Sequence, residues 1–314
     1  MSDDITRALV HDLRTGKQLP SDALQNADLS NTDLSGVRLQ GYRLQDTQLE
    51  GANLKGTTWR ACELDHVRLD RATLSESSFV ECHGRSVSWQ RTAAQRLWMK
   101  QCTWHDCHFD HADLTRLAAV NTIFSGCRWQ AVTLLQTWLS HCDLSGLDLT
   151  GVTWTQSHFP NSQLRQTRFT GATLSQCTFN RVDASGADFS GVQAKGCTFH
   201  GACLNEAKFG DAVLDGANFD QSRLDHVQFA CASLRAARLC GAQSVGITFA
   251  DCTLAHADLS HLQAAHADFS RADLRGAKLH AVQLPDALWQ AAQLDQVRRD
   301  DPERLAAERW QPPV

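Results

Sequence analysis

The chain has 314 residues, with 30 Lys and Arg against 35 Asp and Glu and a net charge of -5; this balance excludes a basic nucleic-acid binder and a strongly acidic tail. No apolar run reaches the roughly 18 residues that a membrane helix needs, and the acidic start Met1-Ser2-Asp3-Asp4 lacks the basic and apolar segments of a signal peptide. Twelve cysteines without such a signal predict a reducing, cytoplasmic setting.

The first predicted element is a short amphipathic helix over residues 3–14, with Ile5, Ala8, Leu9 and Leu13 on one face and Gly16 as its stop. Residues 1–20 are therefore expected to form an N-terminal cap. From Leu24 onward a different rule takes over. Every residue whose number ends in 4 or 9 is apolar with few exceptions: Leu24, Leu29, Leu34, Leu39, Leu44, Leu49, Leu54, Trp59, Leu64, Leu69, Leu74, Phe79, and so on to Leu274, Leu279 and Leu284. These 53 centres run from 24 to 284 without an insertion or deletion. Two residues before each centre stands a small or β-branched residue, as at Ala27, Thr32, Val37, Ala52, Cys62 and Ala217.

A period of five fits neither a helix, which needs about 3.6, nor a strand, which needs 2. It fits a chain that turns a corner every five residues, with two side chains inward and three outward. Segments such as Ala52-Asn53-Leu54-Lys55-Gly56 and Ala272-Asp273-Leu274-Arg275-Gly276 resemble the pentapeptide-repeat family, over roughly residues 22–288. That resemblance implies an all-β fold, a right-handed quadrilateral β-helix with four pentapeptides per coil and about 13 coils. The expected β-helix occupies residues 21–288.

In such a coil, residues i and i+20 stack. Phe159, Phe179, Phe199 and Phe219 then fall in one column, and Phe169, Phe189, Phe209, Phe229, Phe249 and Phe269 in the column opposite. Small centres such as Ala184, Ser244 and Ala264 beside them keep the core volume level. Residues 289–314 read as a C-terminal cap: Asp301-Pro302-Glu303 is an N-cap and first helical turn, and Leu288, Trp289, Leu294 and Val297 are positioned to cover the last coil.

The cysteines fall mainly at the small inward position, where Cys62, Cys82, Cys102 and Cys142 form a column, so they read as buried fillers. Cys203, Cys231 and Cys240 sit at outward positions. His105, Cys107, His108, His111 and Asp113 make the densest donor cluster, yet their spacing matches no zinc pattern and Cys107 points inward, so no metal and no cofactor are expected. No glycine-rich phosphate loop and no catalytic constellation stand out, and flat outer walls offer no deep pocket. The chain is read as a non-enzyme.

The strongest departure lies between residues 83 and 140. Its centres become irregular, at Gly84, Trp89, Ala94, Met99, Trp104 and Ala119, while its outward positions become apolar. Trp98, Ala118 and Trp138 fall in one outward column, with Val120, Ile123 and Leu135 also outward. Exposed Trp with aliphatic neighbours predicts an interaction patch made of Trp98, Trp138, Val120, Ile123 and Leu135.

Two functions follow as expectations. The first is a protein-interaction scaffold or adaptor, binding an unidentified protein partner or a second copy. The opening helix, then Thr15-Gly16-Lys17-Gln18-Leu19, then repeats, resembles stand-alone pentapeptide proteins of type VI secretion systems, which implies a secretion-accessory or effector-associated role. The second is the DNA mimicry that the resemblance to quinolone-resistance pentapeptide proteins implies, with DNA gyrase or topoisomerase IV as partner. A duplex surrogate needs sustained negative charge. Here the repeats carry only about -3, with a local acidic run at Asp211, Asp215, Asp220 and Asp225.

Overall fold

The structure, a computed structural model, describes residues 3–310. The chain divides into two compact units, residues 1–168 and 169–314. Both are parallel β-solenoids with a five-residue repeat.

Helix α1 (Asp3–Arg14) opens the first unit. It ends where Gly16 enters the left-handed region at φ 75°, with the Gly16 N–H donating to Leu13 O and the Lys17 N–H to Asp12 O. The inner face is turned from the one expected. Leu13 is buried and Thr6, Leu9 and Val10 are half-buried, whereas Ile5 and Ala8 are exposed. Two polar contacts go with that rotation: the Thr6 hydroxyl donates to Asp28 O at 3.3 Å, and Arg14 pairs with the Asp33 carboxylate at 2.8 Å.

The repeats then run as successive coils. Between residues 34 and 279 those whose numbers end in 2, 4, 7 or 9 are buried and most of the others face out, the two-in, three-out arrangement that a five-residue corner demands. The short strands are β1 (Arg38–Gln40), β2 (Arg43–Gln45), β3 (Thr58–Arg60), β4 (Glu63–Asp65), β5 (Ser78–Val80), β6 (His83–Arg85), β7 (Trp98–Lys100), β8 (Thr103–His105), β9 (Ala118–Val120), β10 (Ile123–Ser125), β11 (Leu134–Leu135), β12 (Trp138–Ser140) and β13 (Trp154–Thr155). Parallel pairing puts β1, β3, β5, β7, β9 and β12 in one sheet and β2, β4, β6, β8 and β10 in another. Each strand pairs with the residues twenty further on, as in Ser78↔Trp98↔Ala118↔Trp138. Between named strands the same step is made by single bridges, such as Asp28↔Gln48↔Arg68↔Ser88.

Two local devices make the corners. In most, the centre carbonyl accepts from the N–H three residues on, as Leu29 O does from Thr32, and the second corner residue takes positive φ, as at Asn31 (φ 56°). The Asp or Asn between the two inward residues braces the turn. Asp28 accepts from the Ser30 N–H at 3.0 Å and Asp33 from the Ser35 N–H at 3.1 Å. The corners after Leu39, Phe79 and Ala119 lack the turn bond among the described residues. There the centre carbonyl accepts from the thiol of Cys62, Cys102 or Cys142 in the next coil, each at 3.4 Å. These cysteines are therefore hydrogen-bond donors as well as fillers.

The irregular centres keep the register. Gly84 lies inward beneath Trp104, in the ladder Leu64↔Gly84↔Trp104. A Cβ on Gly84 would meet the Trp104 ring at 2.2 Å, so the missing side chain makes room for a fully buried indole. Trp104 meets Phe79 and Trp89 edge-on, at centroid distances of 5.6 and 5.2 Å.

The second unit stacks its phenylalanines. Phe179, Phe199 and Phe219 form one column with centroids 5.0 and 4.9 Å apart, and Phe169, Phe189, Phe209 and Phe229 form the facing column at 4.8 to 5.0 Å. The columns touch edge-to-face, as Phe199 does with Phe189 and Phe209. Strands β14 (Gln243–Val245) and β15 (Gln263–Ala265) pair in the same parallel sense. Coil pairing continues to Lys278↔Arg298, beyond the expected boundary at 288, because Trp289 and Leu294 keep the inward spacing. Trp289 stacks on Phe269 at 4.5 Å, whereas Leu288 points outward and is exposed. Helix α2 (Pro302–Arg309) follows, with the Asp301 carboxylate accepting from the N–H groups of Glu303 and Arg304.

Candidate interaction surface

A solenoid buries two side chains per repeat and offers the remainder as flat walls, so recognition is written in the outward columns. On the sheet of β1, β3, β5, β7, β9 and β12, the outward column reads Arg38, Thr58, Ser78, Trp98, Ala118 and Trp138. It is polar for three coils and then becomes apolar. Trp98 is 39% exposed and Trp138 46%. They stand two strand spacings apart, about 9.6 Å, with the small Ala118 between them. Ala118 thus leaves a step between two indoles. The Trp138 ring also contacts the His158 ring at 5.4 Å, which steadies one wall of that step.

The other patch residues border it. Val120 ends β9 and is half-buried. Ile123, just round the next corner on β10, is 41% exposed, and Leu135 on β11, just before the corner that leads to Trp138, is 39% exposed. All five residues singled out from sequence lie on the first unit, around the corners that flank this sheet.

The His105–Asp113 segment does not form a ligand set. Cys107 is buried, and the Asp113 carboxylate accepts from the backbone and hydroxyl of Thr115 and from the Gln95 amide. Among the described residues one other group converges: His261, His280 and Glu308 bring donor atoms within 4.8 Å of one another. Sequence reading missed it, because its members are 19 and 28 residues apart and the third lies on α2.

Three buried thiols are held protonated. Burial pushes the pKa of Cys142, Cys197 and Cys252 up to about 12. Cys240, half-buried, is also raised to about 12, by burial first and then by the nearby carboxylates of Asp220 and Asp258. Cys231 is exposed, at a corner with φ 62°.

Charge on the walls is largely paired from coil to coil. Asp220 is nearly buried and held by Arg238 at 2.6 Å; Asp215 faces Lys195 at 3.8 Å, and Asp225 faces Arg223 at 3.8 Å. Arg271–Asp251 and Lys278–Asp258 repeat the device at 2.6 and 3.0 Å. Three of the four carboxylates in the acidic run expected at 211–225, those of Asp215, Asp220 and Asp225, thus face bases. No helix among the described residues is long and apolar enough to cross a membrane.

Comparison with known proteins places these features. A profile for a pentapeptide repeat region matches residues 138–209, and one for pentapeptide repeats in eight copies matches 23–41, 43–79, 207–243 and 245–287. Among solved structures, full-length QnrB1, a plasmid-mediated fluoroquinolone resistance protein, is 18% identical, with 80% of this chain and 98% of that one covered at a TM-score of 0.40. HetL, a pentapeptide repeat protein involved in heterocyst differentiation regulation from Nostoc sp. strain PCC 7120, is 20% identical over 68% of this chain and 89% of its own, at a TM-score of 0.26. A pentapeptide repeat protein of the Arabidopsis thaliana thylakoid lumen is 30% identical over 36% of this chain and 68% of its own, at a TM-score of 0.18. No curated protein matches significantly.

Proposed function

Because the chain belongs to the pentapeptide-repeat family, we propose that it is a non-enzymatic, cytoplasmic interaction scaffold that docks a protein partner on the apolar band around Trp98 and Trp138. The observation that carries this reading is the pair of exposed indoles in one outward column, 39% and 46% accessible, where a column that is polar over its first three coils turns apolar. Burying apolar surface gains about 25 cal/mol per Å², and Trp is the residue most enriched among binding hot spots. The step over Ala118 suits one apolar side chain of a partner held between two rings. Neither a cofactor nor a chemical step enters this role. The finer reading, an accessory or effector-associated part of a type VI secretion apparatus, rests on the α1–Thr15-Gly16-Lys17-Gln18-Leu19–repeat arrangement.

Two comparisons test the reading. Wild type and the Trp98→Ala/Trp138→Ala variant are compared by ultracentrifugation and by pull-down from the source cytosol. Both tryptophans point outward, so the variant keeps the melting temperature and loses the partner or the self-association. Unchanged association removes the patch from the account. Gyrase mimicry is the competing outcome: its sign is a salt-sensitive effect on supercoiling at micromolar protein, and the pairing of Asp215 and Asp220 with bases of adjacent coils, and of Asp225 with Arg223, weighs against it.

A further inference from the structure

The end of the second unit holds a donor set that the repeat does not call for. His261 stands at a corner with φ 60°, half-buried; His280 lies one coil further on and is 4% exposed. Glu308 reaches both from α2. Its Oε2 is 3.2 Å from His280 Nε2 and 3.5 Å from His261 Nε2, and the two imidazoles are perpendicular with centroids 5.4 Å apart. Its Oε1 is held separately by Arg304 Nε, which donates at 2.8 Å. One carboxylate oxygen is therefore aimed at two ring nitrogens, while the other is occupied.

These separations have a chemical meaning. Around a tetrahedral ion with bonds of about 2.0–2.1 Å, neighbouring ligand atoms are about 3.3 Å apart. The 3.2 and 3.5 Å spacings bracket that value. Ligation needs the lone pair of His280 Nε2, so the proton must reside on Nδ1. As the site stands, Nδ1 accepts from the Asp301 N–H at 3.3 Å, so Nε2 carries the proton that faces Glu308; an entering ion displaces that proton and leaves Nδ1–H to turn to Asp300 Oδ1, 3.9 Å away. Asp300 is itself fixed, accepting from the Ala281 N–H at 2.7 Å. The arginine behind the glutamate is the kind of outer support that metal ligands characteristically have, and Asp300 stands close enough to the ring to become a second one once Nδ1 carries the proton.

We propose that His261, His280 and Glu308 form a binding site for a zinc-class divalent ion, which staples α2 to the last coils. Two imidazoles and a carboxylate favour Zn²⁺ and its borderline neighbours over Mg²⁺ or Ca²⁺, which prefer all-oxygen shells. Three protein ligands leave a fourth position for water or a partner's side chain. The ion ties two adjacent coils to the helix that follows them, so it secures the end of the solenoid where backbone groups have no further coil to pair with.

Full-length protein stripped with chelator is titrated with ZnCl₂ and CoCl₂, by calorimetry and by visible absorption. The expected result is one ion per chain, a Co²⁺ spectrum of tetrahedral intensity, and slower tryptic cleavage at Arg298, Arg299 and Arg304 with metal present. Glu308→Gln retains the acceptor for Arg304 yet lowers affinity at least about tenfold, and His261→Asn, which suits the positive φ, does the same. Prior alkylation of Cys203, Cys231 and Cys240 leaves binding unchanged. Absence of binding up to about 100 µM ion overturns the site, as does wild-type affinity in both variants or binding abolished by thiol alkylation.

Discussion

Replacing Gly84 by alanine adds one methyl group at an inward centre where the backbone φ poses no difficulty, so the effect isolates packing. The new Cβ would lie 2.2 and 2.4 Å from two carbons of the Trp104 ring and 3.2 Å from a Val87 methyl. Ordinary contact begins near 3.4 Å, so the indole must retreat by about 1 Å. It has nowhere cheap to go. Trp104 is fully buried, with Phe79 at 5.6 Å and Trp89 at 5.2 Å on its flanks, and Phe124 pairs above it in the ladder. Overpacking by a single carbon commonly costs ~1–3 kcal/mol, and this site belongs at the upper end. Urea unfolding followed by tryptophan fluorescence measures the loss. The partner variant Trp104→Leu costs a comparable ~3 kcal/mol by leaving a cavity, and the double variant Gly84→Ala/Trp104→Leu recovers part of it, because the methyl then occupies space the indole vacated. The predicted coupling is favourable by at least about 1.5 kcal/mol. A neutral Gly84→Ala, or strictly additive variants, would refute the claim that residues twenty apart share one core volume.

Three further expectations follow from the same geometry. Phe199→Ala removes two stacked and two edge-on ring contacts from a fully buried column and should cost ~3–5 kcal/mol in denaturant unfolding, against under about 1 kcal/mol for the outward His200→Ala. Stability should fall with acid. Hydrogen bonds from Ser30, Ser35 and Thr150 hold Asp28, Asp33 and Asp148 below the usual carboxylate range, and in Asp258 burial is outweighed by Ser260 and Lys278. A lowered folded pKa contributes stability that is complete above the unfolded value near 4 and lost as pH falls below it; melting temperatures should be level from pH 8 to 5 and drop below about 4, and a flat profile to pH 2 contradicts the carboxylate bracing. Iodoacetamide at pH 8 should label Cys231 first, Cys203 more slowly, and leave Cys142, Cys197 and Cys252 unmodified until unfolding, as peptide mass spectrometry will read; early labelling of Cys197 would contradict the inward register.

Much of this was legible because the repeat encodes position directly. The five-residue spacing separates Leu204 and Ala202, which are buried, from Cys203 between them, which is not. Gly16 and Asp301 act as the helix boundaries their chemistry suggests. The reason for Gly84 was also present in the sequence, since Trp104 lies twenty residues on; only stacking the coils shows that the first yields space to the second. Other features depend on docking that no period encodes. α1 buries Leu13 with Leu9 and Val10 half-buried beside it, and the Thr6–Asp28 and Arg14–Asp33 contacts accompany an orientation in which Ile5 points outward. His261, His280 and Glu308 meet because α2 folds back over the last coils, and neither 19 nor 28 is a repeat distance. The coil ran on to Arg298 because Trp289 and Leu294 satisfy the inward rule although their neighbours have lost the family's pattern.

The step over Ala118 is the part of the surface on which the proposed docking depends, and filling it is the most direct trial. Ala118→Arg projects a long charged side chain between Trp98 and Trp138, while Thr58→Arg places the same side chain in the same outward column, two coils from Trp98 and four from Trp138. With melting temperatures matched, the captured partner or the second copy should bind Ala118→Arg at least about tenfold more weakly and Thr58→Arg as wild type. Equal affinity for the two variants would place recognition elsewhere on the chain and contradict the account.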